Sequence, residues 1–288
     1  SAVTEEKLIE EGECLPSPNL GYSFTGNVNL RAGVSRTIAR PTMRELAPYT
    51  NEEYRGGYLF TGNPDLEYTT VTNWDLRWEY FTGPGEVLSA SLFYKKLKNP
   101  IELAIITENG EMKPQNVDEA NVTGVEIEWR QSMGRLYRGL SNFSLCGNLT
   151  FVHSAVDIPE FELNNIRAFD PSADDTRPLQ GQSPYIVNLD LNYGVERYGF
   201  QATLLYNVFG ERFIINGKGG TPDVYEQPRH MVDFTAQKRI LGGAQLKIGV
   251  ENILDEKVEM TQKFLGKDYY YRLYETGTTY KIGLSVSL

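Results

Sequence analysis

Val187-Asn188-Leu189-Asp190-Leu191-Asn192-Tyr193 is apolar at every odd position and polar at every even one. Side chains on an extended strand project to alternate faces, so a period of two over this length makes a strand with one greasy and one polar side. Outward from this segment the rhythm recurs. Trp74, Leu76, Trp78 and Tyr80 alternate with Asn73, Asp75, Arg77 and Glu79, and Val125, Ile127 and Trp129 with Glu126, Glu128 and Arg130. Eleven such strands are expected, at about 15–24, 28–37, 71–81, 87–97, 121–131, 142–154, 184–194, 199–209, 230–240, 245–253 and 277–288. No stretch reads as a convincing amphipathic helix.

The connections alternate in length. Short ones near 25–27, 82–86, 132–141, 195–198 and 241–244 carry turn formers such as Gly83-Pro84-Gly85 and Gly242-Gly243. Long ones fall at 38–70, 98–120, 155–183, 210–229 and 254–276. That order describes an antiparallel up-and-down meander with its long loops at one end. A water-soluble sheet packed on a core also alternates. Three features separate the two. The strands run roughly 9–12 residues rather than the usual ~5–6, a length suited to crossing a bilayer at a tilt. The long loops gather on one side, as in outer-membrane barrels. The polar face carries charges of both signs along its length: Arg31, Asp75, Arg77, Glu79, Glu126, Glu128, Arg130, Asp190, Asp233, Lys247 and Glu251.

An Arg or Lys facing hydrocarbon near the bilayer centre costs about 2–4 kcal/mol, so the apolar face is expected to look outward. The charged face then lines the lumen or meets a polar plug, because drying so many charges in a packed core costs several kcal/mol for each one left unpaired. The expected fold class is all-β, an antiparallel up-and-down transmembrane β-barrel. Bacterial single-chain barrels have even strand numbers, and open strand edges are not tolerated in lipid. The odd count of eleven therefore suggests a fragment: a polar lead-in over 1–14 and a barrel portion over 15–288, its partner strands upstream of Ser1 on the same or a separate polypeptide.

Other classes find little support. The net charge of −10 lacks the basic stripe that nucleic acid requires. An aromatic content of 12% argues against disorder, and no apolar run approaches the ~18 residues of a membrane helix. Residues 1–11 are polar and acidic, unlike a signal peptide. Two cysteines, Cys14 and Cys146, and two histidines, His153 and His230, show no metal-ligand spacing. No catalytic triad is discernible, so neither catalytic, metal nor cofactor residues are expected.

Motifs add to the periodicity. SRTIARPTMREL at 35–46, TGNPDL at 61–66, TNWDLRWEYF at 72–81, FYKKLKNPIE at 93–102, PLQGQSPYIVNL at 178–189, YNVFGERF at 206–213 and VENILDEKV at 250–258 stand in register with the strand count. In this order and spacing, over 15–288, they resemble the C-terminal half of the barrel of TonB-dependent outer-membrane receptors, with a Bacteroidetes-type flavour. The resemblance implies a 22-stranded barrel in the outer membrane of a Gram-negative bacterium, plugged by an N-terminal domain. It further implies energised uptake, through TonB, of a scarce bulky ligand: a siderophore, oligosaccharide, peptide or cobalamin-like molecule. The last strand, Tyr280 to Leu288, resembles the barrel-assembly signal but ends in Leu rather than an aromatic residue. On this reading the missing strands, plug, TonB, outer-membrane lipid and ligand are the partners. Candidate ligand contacts are the loop aromatics Tyr49, Tyr54, Tyr58, Phe161, Phe169 and Tyr225, and the charged residues from Arg31 to Glu251 named above form the candidate plug- or lumen-facing set. The alternative is a receptor-like barrel that has lost transport and serves as a structural subunit of an outer-membrane assembly.

Overall fold

The period of two places partners in rows. In a computed structural model, which describes residues 12, 14–52, 59–107, 111–169, 171–217, 222–240, 243–264 and 266–286, Leu76 lies opposite Ala32 and Leu92, Leu92 opposite Val125, and Val125 opposite Phe151. The row below continues further round: Leu30, Trp78, Ala90, Ile127, Leu149, Val187 and Val208. Apolar side chains thus form a continuous belt on one face of a single antiparallel sheet. Many of them stay exposed, Leu92 at 55% and Ile282 at 80% among them.

Eleven strands make this wall, each beside its neighbour in the chain: β1 (Asn19–Thr25), β2 (Val28–Ala39), β3 (Thr69–Gly83), β4 (Glu86–Lys98), β5 (Glu119–Ser132), β6 (Phe143–Asp157), β7 (Tyr185–Val195), β8 (Phe200–Phe209), β9 (Met231–Arg239), β10 (Ala244–Glu251) and β11 (Thr279–Val286). The sheet does not close, so the wall is a partial barrel with β1 and β11 at its edges. Strand number and order agree with the sequence reading. β1 begins later than expected because Pro16 and Pro18 have no N–H to donate. Their carbonyls still accept, from Arg36 N at 2.9 Å and Val34 N at 3.1 Å.

The long connections differ from the expectation of plain loops. A four-stranded sheet of Arg212–Ile215, Val224–Glu226, Lys257–Phe264 and Lys267–Glu275 carries β8, β9, β10 and β11 upward in the same order. A second joins Thr50–Glu52, Leu59–Thr61, Met112–Asn116 and Ile101–Ile105. Two helices were not anticipated: the single turn α1 (Met43–Leu46) and α2 (Glu160–Phe169). The packed apolar clusters among the described residues lie toward this end, one between the loop sheets and one where β5 begins and β6 ends. One is Ile105, Met112, Ile215 and Val224, and the other Val117, Ala120 and Val156. No described helix is long and apolar enough to cross a membrane.

The quoted motifs dock on one another. Thr42 caps α1, and the Glu45 carboxylate accepts from the Thr42 backbone N–H at 2.6 Å, completing a capping box. Gly62 presses against that turn, where an added Cβ would sit 2.1 Å from the Ala47 carbonyl oxygen.

Candidate functional site

The charged residues singled out from sequence share the face opposite the apolar belt, as their registers require: Arg31 pairs with Arg77, Arg77 with Ser91, and Ser91 with Glu126. On that face Arg77 donates to Glu128 (2.7 Å), Glu79 (2.9 Å) and Ser91 (3.2 Å), and Arg31 Nε lies 3.0 Å from Glu79. One ionic chain therefore spans β2 to β5. Asp233 accepts from Asn252 N at 2.8 Å, and Glu251 pairs with Lys281. Asp75, Glu126, Arg130, Asp190 and Lys247 occupy the same face outside the salt bridges formed among the described residues. Between these charges runs an amide row. Asn207 donates to Asn188 at 2.6 Å, and Asn188 to Asn148 at 2.7 Å.

Of the aromatic candidates, the two whose side chains are described, Tyr49 and Tyr225, lie at different loop sheets. Tyr49 is exposed beside the sheet containing 50–52, whereas Tyr225 belongs to the other loop sheet, its ring 5.8 Å from Phe213. Burial pushes the Tyr225 phenol up to about 12, helped by nearby Asp223 and Glu211. Tyr54 and Tyr58 lie outside the described residues, as do Gly242 and Leu288. Phe161 and Phe169 fall on α2, their side chains outside the described set.

A cluster that the pattern did not single out joins three of the long connections. Arg177, in a two-residue strand paired to β6, donates to Glu102 at 2.7 Å and to Glu162 of α2 at 2.5 Å, and its guanidinium lies 5.8 Å from the Phe213 ring. Glu162 also accepts from Asn216 at 2.7 Å. The Gln180 amide accepts from Leu103 N (2.7 Å) and donates to Leu103 O (2.9 Å) and Ile214 O (2.6 Å). Burial pushes the Arg177 guanidinium down, but the two carboxylates outweigh it and the net shift is upward. Burial pushes Asp223 up, only partly offset by the bond it accepts from Gly217 N and by Arg177, while Glu162 and Glu102 push the same way as burial. Glu102 and Gln180 sit inside quoted motifs, and Arg177 immediately precedes one. That adjacency was the available signal.

Comparison with known proteins follows this geometry. A family model described as TonB dependent receptor-like, beta-barrel, matches residues 11–253. The chain is 24% identical over 270 residues to the iron-regulated outer membrane virulence protein of Vibrio cholerae, covering 90% of this chain and 37% of that protein. Among solved structures it is similar to a variant of the ferric enterobactin receptor of Pseudomonas aeruginosa: TM-score 0.59, 18% identity, 94% of this chain and 39% of that one. It is also similar to the ferric yersiniabactin uptake receptor of Yersinia pestis: TM-score 0.60, 16% identity, 94% of this chain and 36% of that one. At such identities the structural likeness is one of fold, and the chain spans well under half the length of these relatives.

Proposed function

The chain belongs to the family of TonB-dependent receptor-like β-barrels, proteins of the Gram-negative outer membrane, and we propose that residues 15–288 form the C-terminal portion of such a receptor's barrel. The family is one of receptors and transporters, not of enzymes. On this reading β1 and β11 pair with strands lying upstream, and eleven strands are half of a 22-stranded barrel whose plug meets the ionic face. The charges from Arg31 to Glu251 then face plug or lumen, and the aromatics of the long connections meet ligand. TonB engages a part of the receptor outside these strands. The motif spelling favours a Bacteroidetes-type member.

The observation that carries this reading is the apolar belt, continuous across the wall and backed by a charged face. Among bulky ligands an iron-bearing siderophore is favoured over an oligosaccharide, peptide or cobalamin-like molecule, because the matched structures are named as ferric siderophore receptors. The test uses the full-length receptor with radioactive iron on a panel of siderophores. Uptake is expected with the intact protein and lost when 155–183 is deleted, while heat-modifiable gel migration shows the barrel still assembled. Unchanged uptake after that deletion contradicts the assignment.

A further inference from the structure

The hairpin Ile101–Ile105/Met112–Asn116 links β4 to β5, yet its Ala104 bridges Asn216, just beyond the strand that extends β8. In the wall, β6 and β7 stand between β5 and β8. The hairpin therefore crosses the outer ends of those two strands like a bar. Apolar contact supports the crossing, since Ile105 and Met112 pack with Ile215 and Val224. The polar tie is Arg177, whose guanidinium holds Glu102 on the bar and Glu162 on α2, with Glu162 in turn holding Asn216 at the bar's landing point.

This tie is poorly suited to a permanent joint. One guanidinium holds the two carboxylates of Glu102 and Glu162, so carboxylates outnumber it. Glu102 is 1% exposed, and its Oε1, like Arg177 Nε, has no hydrogen-bond partner among the described residues. Apolar groups of similar volume join surfaces as firmly as buried ion pairs or more so, and dry charges left unpaired are costly. What charges offer instead is release, because both partners regain full hydration once apart.

We propose that Arg177 is the positioning residue of a releasable bar, holding the paired strands 101–105 and 112–116 shut across the outer end of the wall. The proposal rests on the receptor reading, which makes that end the extracellular one. Its test uses the full-length receptor in intact cells, with Cys14→Ser and Cys146→Ser removing the native thiols and Ala104→Cys, at a site now 5% exposed, reporting on the bar. A membrane-impermeant maleimide is expected to label Ala104→Cys slowly with Arg177 in place and at least tenfold faster with Arg177→Met. Arg177→Lys, which keeps the charge but not the fork, is expected to fall between them. With a mild added oxidant taking the two electrons, an Ala104→Cys/Asn216→Cys pair is expected to form its disulfide, read by non-reducing gel, faster with Arg177 in place than with Arg177→Met, and equal rates count against the latch. Equal labelling rates with and without Arg177, while every variant migrates as an assembled barrel, overturn the latch alone. If the unsubstituted receptor itself lacks heat-modifiable migration, the receptor reading falls and the latch with it.

Discussion

Asn252 adopts φ of +52°, a region that Asn tolerates better than most side chains, where the wall gives way to the loop sheet. Its Oδ1 accepts from Glu256 N at 2.9 Å, its amide donates to Glu256 O and Gly277 O at 3.2 Å, and its carbonyl accepts from Thr278 at 2.9 Å. This explains why VENILDEKV is a motif: one side chain ties both ends of a strand break. Asn252→Ala is expected to cost about 1–3 kcal/mol through backbone groups left unpaired, read as faster hydrogen exchange over 257–275; unaltered exchange contradicts the role. Asp223 gives a pH-dependent case. Its carboxyl is raised by burial, so the closed loop sheet takes up a proton more readily than the opened one, and closure strengthens as pH falls through the raised value. Asp223→Asn keeps an acceptor for Gly217 N at 2.8 Å and removes the charge. Slower exchange over 212–226 is expected at pH 7, with the advantage shrinking toward the ordinary value of 3.8. Faster exchange in the variant at pH 7 contradicts this account.

The elements divide by how their stability is written. A wall strand such as β7 alternates over its whole length, because each residue meets one of two unlike solvents, and its limits were readable to within a residue or so. The three-residue strand Val224–Glu226 shows no period, and its burial comes from Ile105 and Met112, far away in sequence. Such pairings are invisible until the loops are assembled. Helix α2 was missed although Pro159 precedes it, Glu160 and Glu162 occupy its first turn and Arg167 its last, the arrangement that suits a helix dipole. The Arg177 cluster shares that obscurity, since three connections supply it. For the wall itself, Leu204→Arg on the apolar face of β8 is expected to lower stability by about 2–4 kcal/mol, while Thr203→Arg on the ionic face has a far smaller effect. Unfolding in lipid vesicles compares the two, and greater damage from Thr203→Arg reverses the assignment of faces.

The molecule as a whole is a sheet whose two faces both await other material. Its apolar belt is wide and uncovered, its ionic face holds more charge than its own salt bridges use, and β1 and β11 each present an unpaired edge. On the proposed reading, lipid, plug and further strands satisfy all three at once. Class and topology were legible because they follow from solvent polarity alone. The ligand was not, since the loop sheets bring together side chains that lie far apart in sequence. The most direct test of the outward-facing belt is a spin-label scan of β7, residues 185–195, in the full-length receptor in membranes. Odd positions are expected to collide preferentially with lipid-soluble oxygen and even positions with a water-soluble nickel reagent, alternating along the strand. Odd positions shielded from both reagents, with even positions open to bulk water, contradict the barrel.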